Sequence, residues 1–129
     1  MIRINEILDK ASKYLNDQEL ALIEKSYVYS ASLHSGQVRM SGEPYLSHPL
    51  EVSNILVEFN LDAPTICAGL LHDTIEDTGV EVHELSEQFG SEVADIVEGV
   101  TKIGKMTYTS KEEAQAENMR KMILAMAKD

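Results

Sequence analysis

Apolar residues recur every three or four positions along almost the whole of this chain, and that spacing restricts its fold more than any other feature. Ile4, Ile7, Leu8, Ala11 and Leu15 form one stripe, and Leu20, Ile23, Tyr27, Ala31 and His34 form a second. A period near 3.6 puts such residues on one face of a helix, whereas a half-buried strand alternates with period two. Composition agrees. Aromatic residues make up 5% of the 129, Trp is absent, and Gly and Pro number 7 and 3. That points to a helical protein rather than a sandwich or a barrel.

The punctuation between stripes marks the helix ends. Asn16-Asp17 caps the second helix and Gly36 stops it. A polar loop runs from Ser35 to Pro44. Ser47 is then an N-cap with Pro49 in the first turn, and Val52, Ile55, Leu56 and Phe59 form the buried face. Asp62 and Pro64 open a long helix that Gly79 closes. Val82, Leu85 and Phe89 mark a short helix ended by Gly90, and Ser91 caps another with Val93, Ile96, Val97 and Val100 inward. Gly104 to Ser110 is loop-like, and Ala114, Met119, Met122, Ile123 and Met126 form a last helical stripe, with Met as core filler.

This length fits one domain, residues 1–129, with an N-terminal helix in 1–19 and the core in 20–129. The formal charge is −11. A surface of that sign repels nucleic-acid backbones, so no nucleic-acid partner is expected. A phosphorylated small molecule remains open to it if a metal ion and a few cations neutralise the charge locally. Cys67 is alone, which excludes a disulfide framework. No window nears the roughly 18 apolar residues of a membrane span, and the first residues lack the apolar centre of a signal peptide. A cytoplasmic protein without a membrane partner is the expectation.

Within the fourth helix, the stretch Gly69-Leu-Leu-His-Asp-Thr-Ile-Glu-Asp-Thr78 places one imidazole and three carboxylates in six residues. Burying such groups is costly unless their charge is compensated. At roughly 100° per residue, His72, Glu76, Asp73 and Asp77 spread over an arc of roughly 140°, beside an apolar sector of Ala68, Leu71 and Ile75. This donor set suits a divalent cation. Spacing alone leaves a metal site and a solvated acidic helix end equally open. His48, near a helix start, tips the reading towards a metal, because the positive end of a helix disfavours protonation of its imidazole. His34 reads as a hydrogen-bonded core histidine and His83 as a surface residue.

Several motifs in fixed order then resemble one family: His34-Ser-Gly-Gln37, Arg39-Met-Ser-Gly-Glu-Pro-Tyr45, His48-Pro49, Leu70-Leu-His-Asp73, Glu76-Asp-Thr78, Glu98-Gly-Val-Thr-Lys-Ile103 and Glu117-Asn-Met-Arg-Lys-Met122. Together they resemble the N-terminal hydrolase domain of the Rel/Spo family, part of the HD metal-dependent phosphohydrolase superfamily. The resemblance covers about Leu20 to Asp129. It implies an all-α HD fold, a helical bundle binding Mn²⁺. The implied activity is hydrolysis of the 3′-pyrophosphate of guanosine tetra- or pentaphosphate, (p)ppGpp, in the stringent response. By position it implies His48, His72 and Asp73 as metal ligands and Glu76 and Asp77 as the acidic pair that positions and activates water. Arg39 would stack on guanine, and Ser41 and Tyr45 would line the nucleotide site.

Met40 departs from the basic or polar residue the family commonly carries. The family's fourth metal ligand, an Asp in a Leu-Ala-Asp-Arg-Leu-His-Asn-like segment, has no counterpart here, and Asp129 is not its equivalent. The expectation is a hydrolase domain truncated at its C-terminal end, from a bifunctional parent with a downstream synthetase (GTP pyrophosphokinase) domain. Two alternatives stand beside it: a catalytically incomplete regulatory or structural module, and an HD phosphohydrolase of another nucleotide.

Overall fold

The structure is a computed structural model that describes residues 2–33 and 47–103, leaving out the side chains of residues 47, 48, 76, 77 and 100–103. The described residues form helices α1 (Ile4–Ala11), α2 (Asp17–Leu33), α3 (Ser47–Glu58), α4 (Ala63–Leu71), α5 (Thr74–Thr78), α6 (Val82–Phe89) and α7 (Ser91–Ile103), with no strand among them. The expected all-α class holds. The expected loop from Gly104 to Ser110, the last helical stripe from Ala114 to Met126, the loop from Ser35 to Pro44, and His34 lie outside the described residues.

α4 is the axis of the bundle. Ala63, Thr65, Ile66, Cys67, Ala68, Gly69, Leu70 and Leu71 are all buried, as expected for a helix apolar all round. α2, α3 and α7 pack around it, α1 lies against α2 and α3, and α6 lies against α7. Asp62 starts α4, its Oδ1 accepting the Thr65 N–H at 3.0 Å, with Pro64 in the first turn. Asn16 and Glu19 cap α2 reciprocally: Asn16 Oδ1 accepts the Glu19 N–H at 2.8 Å and Glu19 Oε1 accepts the Asn16 N–H at 3.0 Å. Such a box satisfies two of the donors that the start of a helix leaves without partners. Gly79 and Gly90 end α5 and α6 at φ +76 and +98.

Three expectations need correction. Phe59 is 68% exposed instead of buried. α3 ends at Glu58, and Asn60, at φ +58, reverses the chain. The Leu61 N–H donates to Leu56 O and the Asn60 N–H to Val57 O, the bond pair of a Schellman end with Asn in the left-handed position. Phe59 therefore stands past the last turn and points outward. On α2 the buried residues are Ile23, Ser26 and Ser30, while Leu20, Tyr27 and Ala31 are only half-buried. Small hydroxyl side chains, invisible to a hydropathy stripe, let α2 and α4 pack together, and the Ser26 hydroxyl satisfies itself on Leu22 O at 3.0 Å. Finally, α1 stops at Ala11, so Leu15 follows a turn rather than extending that helix.

The outer helices are tied on by polar anchors. Lys10 Nζ donates to Asn54 Oδ1 at 2.7 Å and Glu58 Oε1 at 3.0 Å, joining α1 to α3. The Tyr14 hydroxyl donates to Leu61 O at 2.7 Å. On the other side, the rings of Tyr29 and Phe89 meet edge to face at 5.2 Å, and Lys25 Nζ lies 5.0 Å from the Phe89 centroid. Both contacts bind α6 to α2.

Candidate metal centre

The long helix expected between Asp62 and Gly79 is broken at His72-Asp73, the site's own residues. His72 keeps helical angles (φ −60, ψ −27) as the C-cap of α4. Asp73, at φ −94 and ψ −4, sits between helices as the N-cap of α5. Side chains take up carbonyls at this break. The Thr74 hydroxyl donates to Leu71 O at 2.7 Å, and His72 Nδ1 lies 2.6 Å from Gly69 O. The arc drawn on one continuous helix therefore does not apply beyond His72.

A carbonyl oxygen can only accept, so His72 Nδ1 carries the hydrogen. That directs Nε2 at Asp73, whose Oδ2 is 3.2 Å away. The imidazole is 3% exposed, while the Asp73 side chain keeps partial access to solvent. Both atoms can offer a lone pair to one cation. Adjacent ligands at about 2.2 Å from one octahedral or similar ion lie about 3.1 Å apart, which matches the observed separation. A metal-binding imidazole also commonly donates its other N–H to a backbone carbonyl, as His72 does to Gly69. The residues present thus fit a divalent cation.

Of the other expected ligands, His48 lies in the first turn of α3, and α3 packs directly on α4. Glu76 and Asp77 lie in α5, one turn beyond the His72-Asp73 pair. Arg39, Ser41 and Tyr45 lie outside the described residues. Gly69 and Thr74 were not singled out by sequence reasoning as parts of the site. The signals were there: a glycine inside an apolar helix, and a short hydroxyl residue directly after His-Asp.

A second donor cluster lies on α6 and the residue before it. Ligand atoms of Glu81, His83 and Glu84 fall within 4.8 Å of one another. All three residues are exposed, and the 3.1 Å pairing of His83 Nδ1 with Glu81 Oε2 is open to solvent. His83 is a surface residue, as expected, and this cluster has the look of an ordinary solvated acidic surface.

Comparison with known proteins gives the same placement. The chain is 60% identical over 121 residues to a GTP pyrophosphokinase of Myxococcus xanthus, covering 92% of this chain and 16% of that protein. It is 46% identical over 129 residues to a guanosine-3′,5′-bis(diphosphate) 3′-pyrophosphohydrolase of Vibrio cholerae, covering 100% of this chain and 18% of that protein. It is 47% identical over 116 residues to the bifunctional (p)ppGpp synthase/hydrolase SpoT of Escherichia coli, covering 90% and 16%. The chain thus spans less than a fifth of the length of these relatives, and the resemblance to the Rel/Spo family is borne out. The HD domain family model matches residues 26–129. With its helical bundle and its adjacent His72-Asp73 pair, this chain belongs to the HD domain family.

Proposed function

We propose that this chain is the Mn²⁺-dependent hydrolase domain of a (p)ppGpp 3′-pyrophosphohydrolase, one domain over residues 1–129 of a cytoplasmic, bifunctional parent with a synthetase domain downstream. The observation that carries this reading is the His72–Asp73 pair, with Nδ1 held by Gly69 O and Nε2 3.2 Å from Oδ2. It occurs in a chain of the HD domain family whose relatives bear pyrophosphohydrolase and synthase/hydrolase names. No described helix is long and apolar enough to cross a membrane.

In this reading His48, His72 and Asp73 hold the ion. When bound, a divalent cation polarises a phosphoryl oxygen and makes water more acidic. Glu76 and Asp77 orient the attacking water and accept its proton. Water adds to the phosphorus on the 3′ oxygen, the P–O3′ bond breaks, and the 3′ oxygen leaves with a proton while pyrophosphate departs intact. Arg39 stacks on the guanine, and Ser41 and Tyr45 border the nucleotide. No Ser or Cys nucleophile is needed, since phosphoryl transfer depends mainly on positioning and charge stabilisation.

The test is release of pyrophosphate from guanosine tetraphosphate with Mn²⁺, measured for the wild type and for Glu76→Ala/Asp77→Ala. The double variant is expected to lose turnover by at least 100-fold while Mn²⁺ binding stays within a few-fold of wild type. Loss of Mn²⁺ binding would reassign these two residues as ligands. Because the family's fourth ligand has no counterpart in these 129 residues, the reaction itself is refuted by absence of pyrophosphate release from a chain extended past Asp129 to include the Leu-Ala-Asp-Arg-Leu-His-Asn-like segment.

A further inference from the structure

We propose that Gly69 is a positioning residue of the metal centre, setting both the orientation of one ligand and the approach of the helix that carries another. The proposal rests on the reading of His48, His72 and Asp73 as ligands. Gly69 sits inside α4, where glycine costs about 1 kcal/mol relative to alanine, so its position there needs a compensating reason. A Cβ built on it would lie 2.7 Å from Ser53 Oγ and 2.9 Å from Leu56 Cδ1, both on α3. Ser53 Cα lies at 3.6 Å, an ordinary contact, so a Cβ here requires the Ser53 hydroxyl and the end of Leu56 to move from the seam between the helices. The Ser53 hydroxyl closes the same contact by donating to Ile66 O at 3.2 Å.

His48 lies five residues before Ser53 on that helix, about 7.5 Å along its axis. A displacement of α3 at Gly69 is thus passed to the turn bearing His48. The second role belongs to the Gly69 backbone. Its carbonyl accepts from His72 Nδ1 at 2.6 Å, which leaves Nε2 as the donor atom for an ion. Backbone carbonyls that orient ligand imidazoles influence metal affinity by roughly 10- to 100-fold. One residue thereby couples the α3–α4 spacing to the set of the His72 ring.

The test is Mn²⁺ binding to the full chain, by calorimetry and by the electron paramagnetic resonance signal of free Mn²⁺. Gly69→Ala is expected to remain helical and to weaken Mn²⁺ binding at least tenfold. Gly69→Ala/Ser53→Ala removes the nearest clash, leaving only the movable end of Leu56, and should regain most of the lost affinity. Leu85→Ala, in the core of α6, lowers stability without touching this contact and should bind Mn²⁺ as the wild type does. Folded Gly69→Ala with wild-type affinity overturns the proposal, as does equal weakening in Leu85→Ala or no recovery in the double variant. Should Gly69→Ala fail to fold, nitrogen-15 NMR of wild-type His72 decides the carbonyl half: hydrogen on Nδ1 supports it, and hydrogen on Nε2 overturns it. A wild type that takes up no Mn²⁺ refutes the metal reading together with this proposal, whereas tight wild-type binding unchanged by Gly69→Ala refutes this proposal alone.

Discussion

Thr74→Val isolates the hydrogen bond that shapes the break between α4 and α5. Thr74 is fully buried and its hydroxyl donates to Leu71 O at 2.7 Å. Valine keeps the branched shape but replaces the donor with a methyl group against that carbonyl. Loss of a buried partner costs about 1–3 kcal/mol, more than the roughly 0.5–1.5 kcal/mol of an average hydrogen bond, because the remaining polar group stays out of water. At this chain length each kcal/mol lowers Tm by roughly 3–5 °C, so a fall of roughly 3–15 °C is expected. Thr74→Ser provides the converse: it retains the hydroxyl and removes one methyl, worth about 1 kcal/mol with its small cavity. Thermal unfolding followed by circular dichroism compares the two. Mn²⁺ affinity gives the second readout, since only the valine variant frees the turn that presents Asp73. A Thr74→Val protein as stable as wild type would refute the assignment, because the Leu71 carbonyl would then be satisfied without the hydroxyl.

Other outcomes follow from burial and capping. Burial pushes the Cys67 thiol from 9.0 up to about 11, so the folded chain keeps a proton that the unfolded chain releases. That contribution is complete below pH 9 and is lost as pH rises from 9 to about 11, by about 3 kcal/mol at ~1.4 kcal/mol per pH unit. Urea unfolding across that range should fall less steeply in Cys67→Ala, and an identical slope would refute the burial argument. Burial and nearby carboxylates also raise Tyr14 and Tyr29 above 10.0, so part of the alkaline loss should survive in the variant. Asp62→Ala removes the acceptor of the Thr65 N–H and should cost about 1 kcal/mol by denaturant titration, with Asp62→Asn nearly neutral.

Much of the architecture was legible because helix ends are local chemistry. Asp62 with Pro64, the cap at Asn16, Gly79 and Gly90 act within a few residues of themselves, and each does what its residue type does elsewhere. The end of α3 was misread because asparagine served where glycine is usual, which carried Phe59 out of the core. The buried face of α2 was misread because Ser26 and Ser30 are buried by the packing of other helices on α2, a fact that no single-helix hydropathy pattern contains.

The site divides in the same way. The order and spacing of His48, His72, Asp73, Glu76 and Asp77 are properties of the chain alone; they pointed towards a divalent cation, while the family was legible only from the whole set of motifs between His34 and Met122. The sequence could not reveal that the helix breaks at His72-Asp73, because an unbroken helix was equally consistent with its apolar period. The break depends on Thr74 and His72 reaching carbonyls one turn back, in surroundings that exclude water. Nor could it reveal that Gly69 marks the contact of α3 with α4, since the atoms that would clash there come from Ser53 and Leu56, more than ten residues away. Residue types and their periods are written locally, but distances between helices are set by which side chains are small enough to be absent.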